Sequence, residues 1–318
     1  VAVTGELSSG VLSVENDALI QTLSHSGSSR LDISNDTTLT VQNLFEVPQN
    51  KSMELVGTEK GKLILGGQLT LSGILKFSAT DTLSGGTLAL NGGTLTVNEN
   101  ADIITNITHL ADSGISVFND KTLKYSGDIP NVGAFTLTLS GGGKFENTKD
   151  ITLNDPLSVL VLNEINVSKV FFAEELSTGK LRVTSDSLIE TLSQNVSSRL
   201  DIVSGARLKL ENTFEVPVGA TMELLGSGGG SLDISDTLTL SGEIKFNAPD
   251  YSLDNGTLAL NGGTLTSAEN SSVSSDVIHL QNSTLDVAAD KVLSYSGSDL
   301  EIGALTLTMS GGGSFKNS

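Results

Sequence analysis

Few side chains in this chain could do chemistry. There are three histidines, His25, His109 and His279, and no cysteine. His109 follows an apolar, strand-like run and recurs as His279, whereas His25 has no counterpart. A metal centre needs two or more clustered donors, and no second His or Cys lies near either repeated His in sequence, so the three are expected to be structural. Carboxylates recur at matched places: Asp17 and Asp186, Asp32 and Asp201, Glu46 and Glu215, Glu54 and Glu223, each pair 169 apart (186 − 17 = 169). Acids clustered with Lys or Arg on neighbouring strands could cleave a polysaccharide. Two features oppose that reading. An active site is normally single whereas these positions are duplicated. Arg30 and Arg199 also stand two residues before Asp32 and Asp201, on the same face of a strand, which predicts a surface ion pair.

The glycine run Gly141-Gly142-Gly143 is followed by neither Lys-Ser nor Lys-Thr and opens no helix, so it reads as a turn rather than a phosphate loop. The stretch Asn91-Gly92-Gly93-Thr94-Leu95-Thr96 lacks the third Gly and the Asp of a calcium-binding nonapeptide, which leaves calcium at acidic loops as the open cofactor possibility. Thr-x-Thr tripeptides occur at irregular intervals, unlike the flat regular array that ice binding needs. These residues predict no catalytic, cofactor or metal ligand set.

The frame that must position them is a repeat. Gly86-Thr87-Leu88-Ala89-Leu90-Asn91-Gly92-Gly93-Thr94-Leu95-Thr96 returns unchanged as residues 256–266. One register covers most of the chain. Ser28-Ser29-Arg30-Leu31-Asp32-Ile33 matches residues 197–202, and Phe45-Glu46-Val47-Pro48 matches 214–217, at an offset of 169. After one inserted residue near Asp250-Tyr251 the offset becomes 170, pairing His109 with His279 and Tyr125 with Tyr295. Two blocks follow, 1–169 and 170–318, the second lacking a counterpart for Lys149 to Lys169. The chain opens at Val1 with no Met or leader and stops inside a repeat, which gives the expectation of a piece of a longer array.

Composition narrows the class. Of 318 residues 37% are hydrophobic, but aromatics are only 4%, Trp is absent and glycines number 34. A core of Leu, Val, Ile and Thr is expected of a thin ladder rather than a compact globule. The net charge of −19 opposes a nucleic-acid partner or an anionic membrane surface. No apolar run reaches the ~18 residues of a membrane-crossing helix.

Short alternating runs such as Arg30-Ile33, Thr38-Val41, Met53-Val56, Ile74-Phe77, Thr94-Val97 and Thr122-Tyr125 are separated by Gly, Ser, Asn or Asp, and almost nothing reads as helix. A block of about 170 residues has too many strands and too little aromatic mass for a sandwich of about a hundred residues. The expected fold is all-β, an elongated β-solenoid with coils on the order of 20 residues, about sixteen of them, and a rod about 75 Å long. In Thr94-Leu95-Thr96 and its relatives Leu points inward and both Thr face out.

The Gly-Gly-Thr-Leu and Thr-Leu-Thr-Leu-Ser-Gly-Gly-Gly phrases at 85–88, 92–95 and 136–143, with Met309 in the copy at 306–313, resemble those of bacterial autotransporter passengers and two-partner-secreted filamentous adhesins. The resemblance implies a right-handed parallel β-helix displayed at the bacterial surface or secreted, commonly for adhesion or aggregation; it carries no functional residue onto this chain. The expected function is therefore a non-enzymatic structural or adhesive segment, a rigid stalk or adhesion rod. Its partners are other repeats of the parent protein and host-cell, neighbouring-cell or carbohydrate surfaces, without nucleic acid or membrane insertion. One alternative is a carbohydrate-binding or polysaccharide-cleaving β-helix, for which Tyr125, Tyr251 and Tyr295 are the only tyrosine platforms. Another is a self-assembling filament or surface-layer subunit.

Overall fold

The computed structural model describes residues 2–3, 11–25, 27–57, 60–128, 130–298 and 300–317, with the side chains of 2, 3, 24 and 25 left out. Two compact units form, one of residues 1–152 with 165–168, the other of 153–164 with 169–318. Each is a parallel β-solenoid, with about 14 turns between them, and no described residue is helical.

Each turn of chain lays down up to three strands. In unit 1 a first sheet stacks Leu12–Val14, Ser29–Ile33, Ser52–Val56, Ile74–Phe77, Thr94–Val97, Ser113–Val117 and Thr136–Ser140, every neighbour parallel. A second runs through Ala18–Ile20, Thr38–Val41, the leading halves of Lys62–Leu71 and Thr82–Asn91, then Ala101–Ile103, Thr122–Tyr125 and Lys144–Asn147. A third pairs Phe45–Val47, the trailing halves of Lys62–Leu71 and Thr82–Asn91, and Asn106–Ala111. Unit 2 repeats the plan. Its first sheet includes Lys180–Ser185, Ser198–Ile202, Thr221–Leu225 and Glu243–Phe246, its second Arg207–Leu210, Ser231–Ile234 and Tyr251–Asp254, and its third Phe214–Val216 to Asp276–Gln281.

Because side chains alternate across a strand, every second residue enters the coil. Leu31, Leu55, Phe77, Val97 and Val117 are successive ladder partners, all buried, and form one such column. Each buried aliphatic contributes about 1.5–3 kcal/mol of transfer free energy. Thr94 and Thr96 flank the buried Leu95 on the outer face, as the sequence leads one to expect. Asp36, Asn50, Asp120, Asp250, Asn255 and Asp290 take the left-handed conformation in turns, where their short polar side chains are tolerated.

The coil is longer than 20 residues in most turns. Ile74 pairs with Thr94, twenty on, but Ser29 pairs with Met53 and Ser113 with Leu137, twenty-four on. The extra residues sit in turns, which is why about 14 turns replace the expected sixteen. Lys62–Leu65 and Leu69–Leu71 also form one strand that bends between the second and third sheets, rather than two separate strands.

Candidate functional site

Apart from Asp32, the matched carboxylates prove to be joints between successive coils. Asp17 Oδ1 accepts the Thr38 backbone N–H at 2.8 Å, and Asp186 Oδ1 accepts that of Arg207 at 2.9 Å. Glu46 accepts the Ser72 hydroxyl at 2.7 Å, and Ser72 in turn accepts Asn91 Nδ2 at 3.1 Å; Glu215, Ser241 and Asn261 repeat the chain at 2.9 and 3.0 Å. The parallel ladder brings these groups together, since residues one coil apart stand about 4.8 Å from each other.

The same geometry corrects the ion-pair expectation. Arg30 and Arg199 do not turn to Asp32 and Asp201 on their own strands; Arg30 Nε lies 3.4 Å from Glu54 and Arg199 Nε 3.3 Å from Glu223. Those are direct ladder partners, nearer than a residue two positions along the strand. Lys76, the next rung, closes on Glu54 from the other side at 3.1 Å. Burial opposes ionisation of Glu54, but hydrogen bonds from Ser78 and Lys76 and the charges of Lys76 and Arg30 hold its carboxyl below the ordinary value. The half-exposed pairs are worth little singly, about 0.2–1 kcal/mol each. The ladder Arg199, Glu223 and Lys245, with Glu175, Ser177, Ser197, Thr221 and Glu243, lines an open cleft of about 460 Å³ on the outer face of the first sheet of unit 2.

A second cluster has no counterpart in unit 1. Asp233 and Asp254 are ladder partners on the second sheet of unit 2. Asp233 accepts Arg207 Nη1 at 3.2 Å and Asn255 Nδ2 at 2.8 Å. Asp254 accepts the hydroxyls of Ser231, Ser252 and Ser274 at 2.5, 2.7 and 2.9 Å. Burial raises the Asp254 carboxyl, but these three donors and the Arg207 charge outweigh it and leave the group below its ordinary value. In unit 1 the places of Asp233, Asp254 and Arg207 are held by Ile64, Ser84 and Thr38. The signal was in the sequence, two acids 21 residues apart in one block and absent from the other, but it is legible only when the coil length is known. Each carboxylate oxygen of the pair has a donor, so the cluster pins four successive coils together and offers no open base. Asp254→Ala is expected to cost about 1–3 kcal/mol of unit 2 stability, because three serine hydroxyls lose their acceptor; chemical denaturation measures it.

Of the three histidines, His109 is held by a described hydrogen bond and a ring contact. His109 Nδ1 hydrogen-bonds the Val132 carbonyl at 3.0 Å and its ring meets Phe135 edge-on at 5.9 Å. Burial lowers its basicity, and the Val132 carbonyl and the Asp112 charge pull the other way. His279 is its counterpart, with Leu305 where Phe135 stands. The His25 side chain lies outside the described residues. Among the described residues no group of three or more His, Cys, Asp or Glu is placed to hold a metal ion.

All three tyrosines are inside the coils. Tyr125 and Tyr295 stack on Phe145 and Phe315 and donate to the carbonyls of Asp128 and Ser298, both at 2.6 Å. That removes them as sugar platforms; an aromatic at these inward positions is core because the solenoid interior is the one place its area is covered. Gly141 and Gly142 take positive φ in a turn, as expected.

No protein-family model, no curated protein and no solved structure matches this chain.

Proposed function

We propose that the chain is a non-enzymatic segment of a large repetitive protein secreted or displayed at a bacterial cell surface, serving as a stiff stalk or adhesion rod. The observation that carries this reading is that the duplicated carboxylates Asp17, Asp186, Glu46, Glu215, Glu54 and Glu223 are all engaged between coils, as scaffold joints rather than as reactive groups. The resemblance of the Gly-Gly-Thr-Leu phrases to autotransporter and two-partner-secreted passengers supports the surface location. Outer faces rich in Ser, Thr and acids suit a long water-exposed surface that repels its own copies. Its partners in this reading are further repeats of the parent protein and cell or carbohydrate surfaces.

The test coats beads with the purified chain, scores their adhesion to cells and to one another, and incubates the chain with a panel of acidic polysaccharides. Adhesion or clumping without polysaccharide cleavage is the expected result. Cleavage that disappears in Asp233→Asn or Asp254→Asn would replace the stalk with an enzyme.

A further inference from the structure

The two blocks match position by position, so a place where they part company shows what each coil must solve by itself. In unit 2, Asp201 is buried at the end of its strand and carries two bases, Lys180 Nζ at 2.7 Å and Arg182 Nε at 3.7 Å. Beside it the buried Tyr251 hydroxyl accepts the Ile202 N–H at 2.8 Å, sits 2.8 Å from the Ile202 carbonyl oxygen and also touches that of Leu225. The phenol thus fills the corner where the first sheet gives way to the second.

Unit 1 keeps the acid but has neither base and no tyrosine at the matching positions. The counterparts of Lys180 and Arg182 are Val11 and Ser13, and that of Asp201 is Asp32. The place of Tyr251 is held by Asp81, since the Thr82 N–H bonds the Gly61 carbonyl as the Ser252 N–H bonds that of Gly230. Asp81 is 1% exposed; its Oδ1 accepts the Gly61 N–H at 2.8 Å and its Oδ2 has no partner among the described residues. Ala101 follows it in the inward column, and the charge that acts on it is that of Asp32. Among the described residues, two acids with no described ion pair therefore stand where unit 2 has one acid, two bases and a hydroxyl. A buried carboxylate left uncompensated costs several kcal/mol.

We propose that this corner of unit 1 is a binding site for one divalent cation of the hard, oxygen-seeking class, calcium above all, held between Asp32 and Asp81. The carbonyls of Ile33 and Val56, counterparts of those that Tyr251 touches, supply further oxygens. The Ile33 carbonyl borders Gly61, whose N–H anchors Asp81: a β-carbon on Gly61 would lie 2.4 Å from that oxygen. Val56 is the ladder partner of Asp32. Calcium accepts six to eight oxygens, carboxylate, carbonyl and water alike, in flexible geometry, whereas soft metals want thiolate or imidazole, which this corner lacks. The site counts two carboxylates, so it lies outside the clusters of three or more acids, His or Cys, and its affinity belongs to the weak extracellular range, Kd about 10⁻⁴–10⁻³ M.

Calcium chloride titrated calorimetrically into the 318-residue chain tests this at a pH above 6, with thermal unfolding in EDTA as the check on folding. The expected result is one site that weakens at least about tenfold in Asp81→Asn and in Val11→Lys, the latter placing an ammonium where Lys180 stands; the affinity tracks the charge removed or supplied. Val11 is 39% exposed, so that change leaves the fold intact. Asp201→Asn in unit 2 is expected to leave the affinity unchanged. Absence of both heat and a calcium-dependent rise in melting temperature in the wild type overturns the proposal, as does binding undiminished in Asp81→Asn.

Discussion

Phe77→Ala is expected to destabilise unit 1 by about 3–5 kcal/mol, the range for truncating a fully buried aromatic. Phe77 is completely enclosed, with Leu55 in the rung before it and Val97 in the rung after, and the coil has no second layer from which a side chain could move in. In a globule such a loss is shared by the whole core. In a solenoid each rung touches only its neighbours, so the damage is local. Amide hydrogen exchange is the measurement: protection should fall in Ser52–Val56, Ile74–Phe77 and Thr94–Val97, while Thr136–Ser140 in the same unit keeps its protection. A uniform loss over the unit would mean that its turns unfold as a single cooperative block. Phe246, between Leu224 and Ser267 in unit 2, carries the same prediction for Thr221–Leu225, Glu243–Phe246 and Thr264–Ser267.

Titration of Asp81 gives a pH signature of opposite sign to that of the ladder acids. Burial, with a contribution from the Asp32 charge, pushes its carboxyl up from 3.8 to about 6. The folded state then holds a proton more tightly than the unfolded chain, so this stabilisation is complete below about pH 3.8 and is lost as the pH rises through about 6. Glu54 and Asp254, held below their ordinary values, contribute stability present above those values and lost on acidification. With calcium chelated, Asp81→Asn is expected to gain stability relative to the wild type above about pH 6, and the gain should shrink toward pH 3.8. Paired thermal melts of the two proteins measure this contribution.

How far the fold could be read depended on the range of the interactions that set it. Alternation in Thr94-Leu95-Thr96 is a local property of a strand, and its inward Leu and outward Thr follow from two neighbouring residues. The partner of Arg30 is Glu54, chosen by a register that depends on every residue in the intervening turn, and a same-strand Asp looked nearer on paper. Asp233 and Asp254 are not legible as a pair for the same reason: the coil spacing varies from nineteen to twenty-four residues between turns. The tyrosines could have been placed. An aromatic such as Tyr125, two positions on from the inward Leu123, shares its face and must be core. Asp81 was hidden differently, because only the comparison with Tyr251 reveals that a carboxyl occupies an inward corner.

The repeated Gly92-Gly93 pair predicts a sharp asymmetry between two adjacent glycines. Gly92 has φ +83° and open space around a would-be β-carbon, so Gly92→Ala meets only the backbone preference, about 1–2 kcal/mol. Gly93 has no such φ, but a β-carbon there would lie 2.4 Å from the Leu71 carbonyl oxygen and 2.6 Å from that of Gly73, both backbone atoms of the coil beneath. Nothing flexible can give way, and Gly93→Ala is expected to cost about 3 kcal/mol, the upper range for overpacking. The same division recurs in unit 2, where Gly262 has positive φ and a β-carbon on Gly263 would lie 2.5 and 2.6 Å from the carbonyl oxygens of Gly242 and Leu240. The first glycine of each pair turns the chain, and the second lets one coil settle on the next at ladder distance. Denaturant melts of the two alanine variants measure the difference; equal losses would mean that turning the chain, rather than stacking the coils, is what the pair is for.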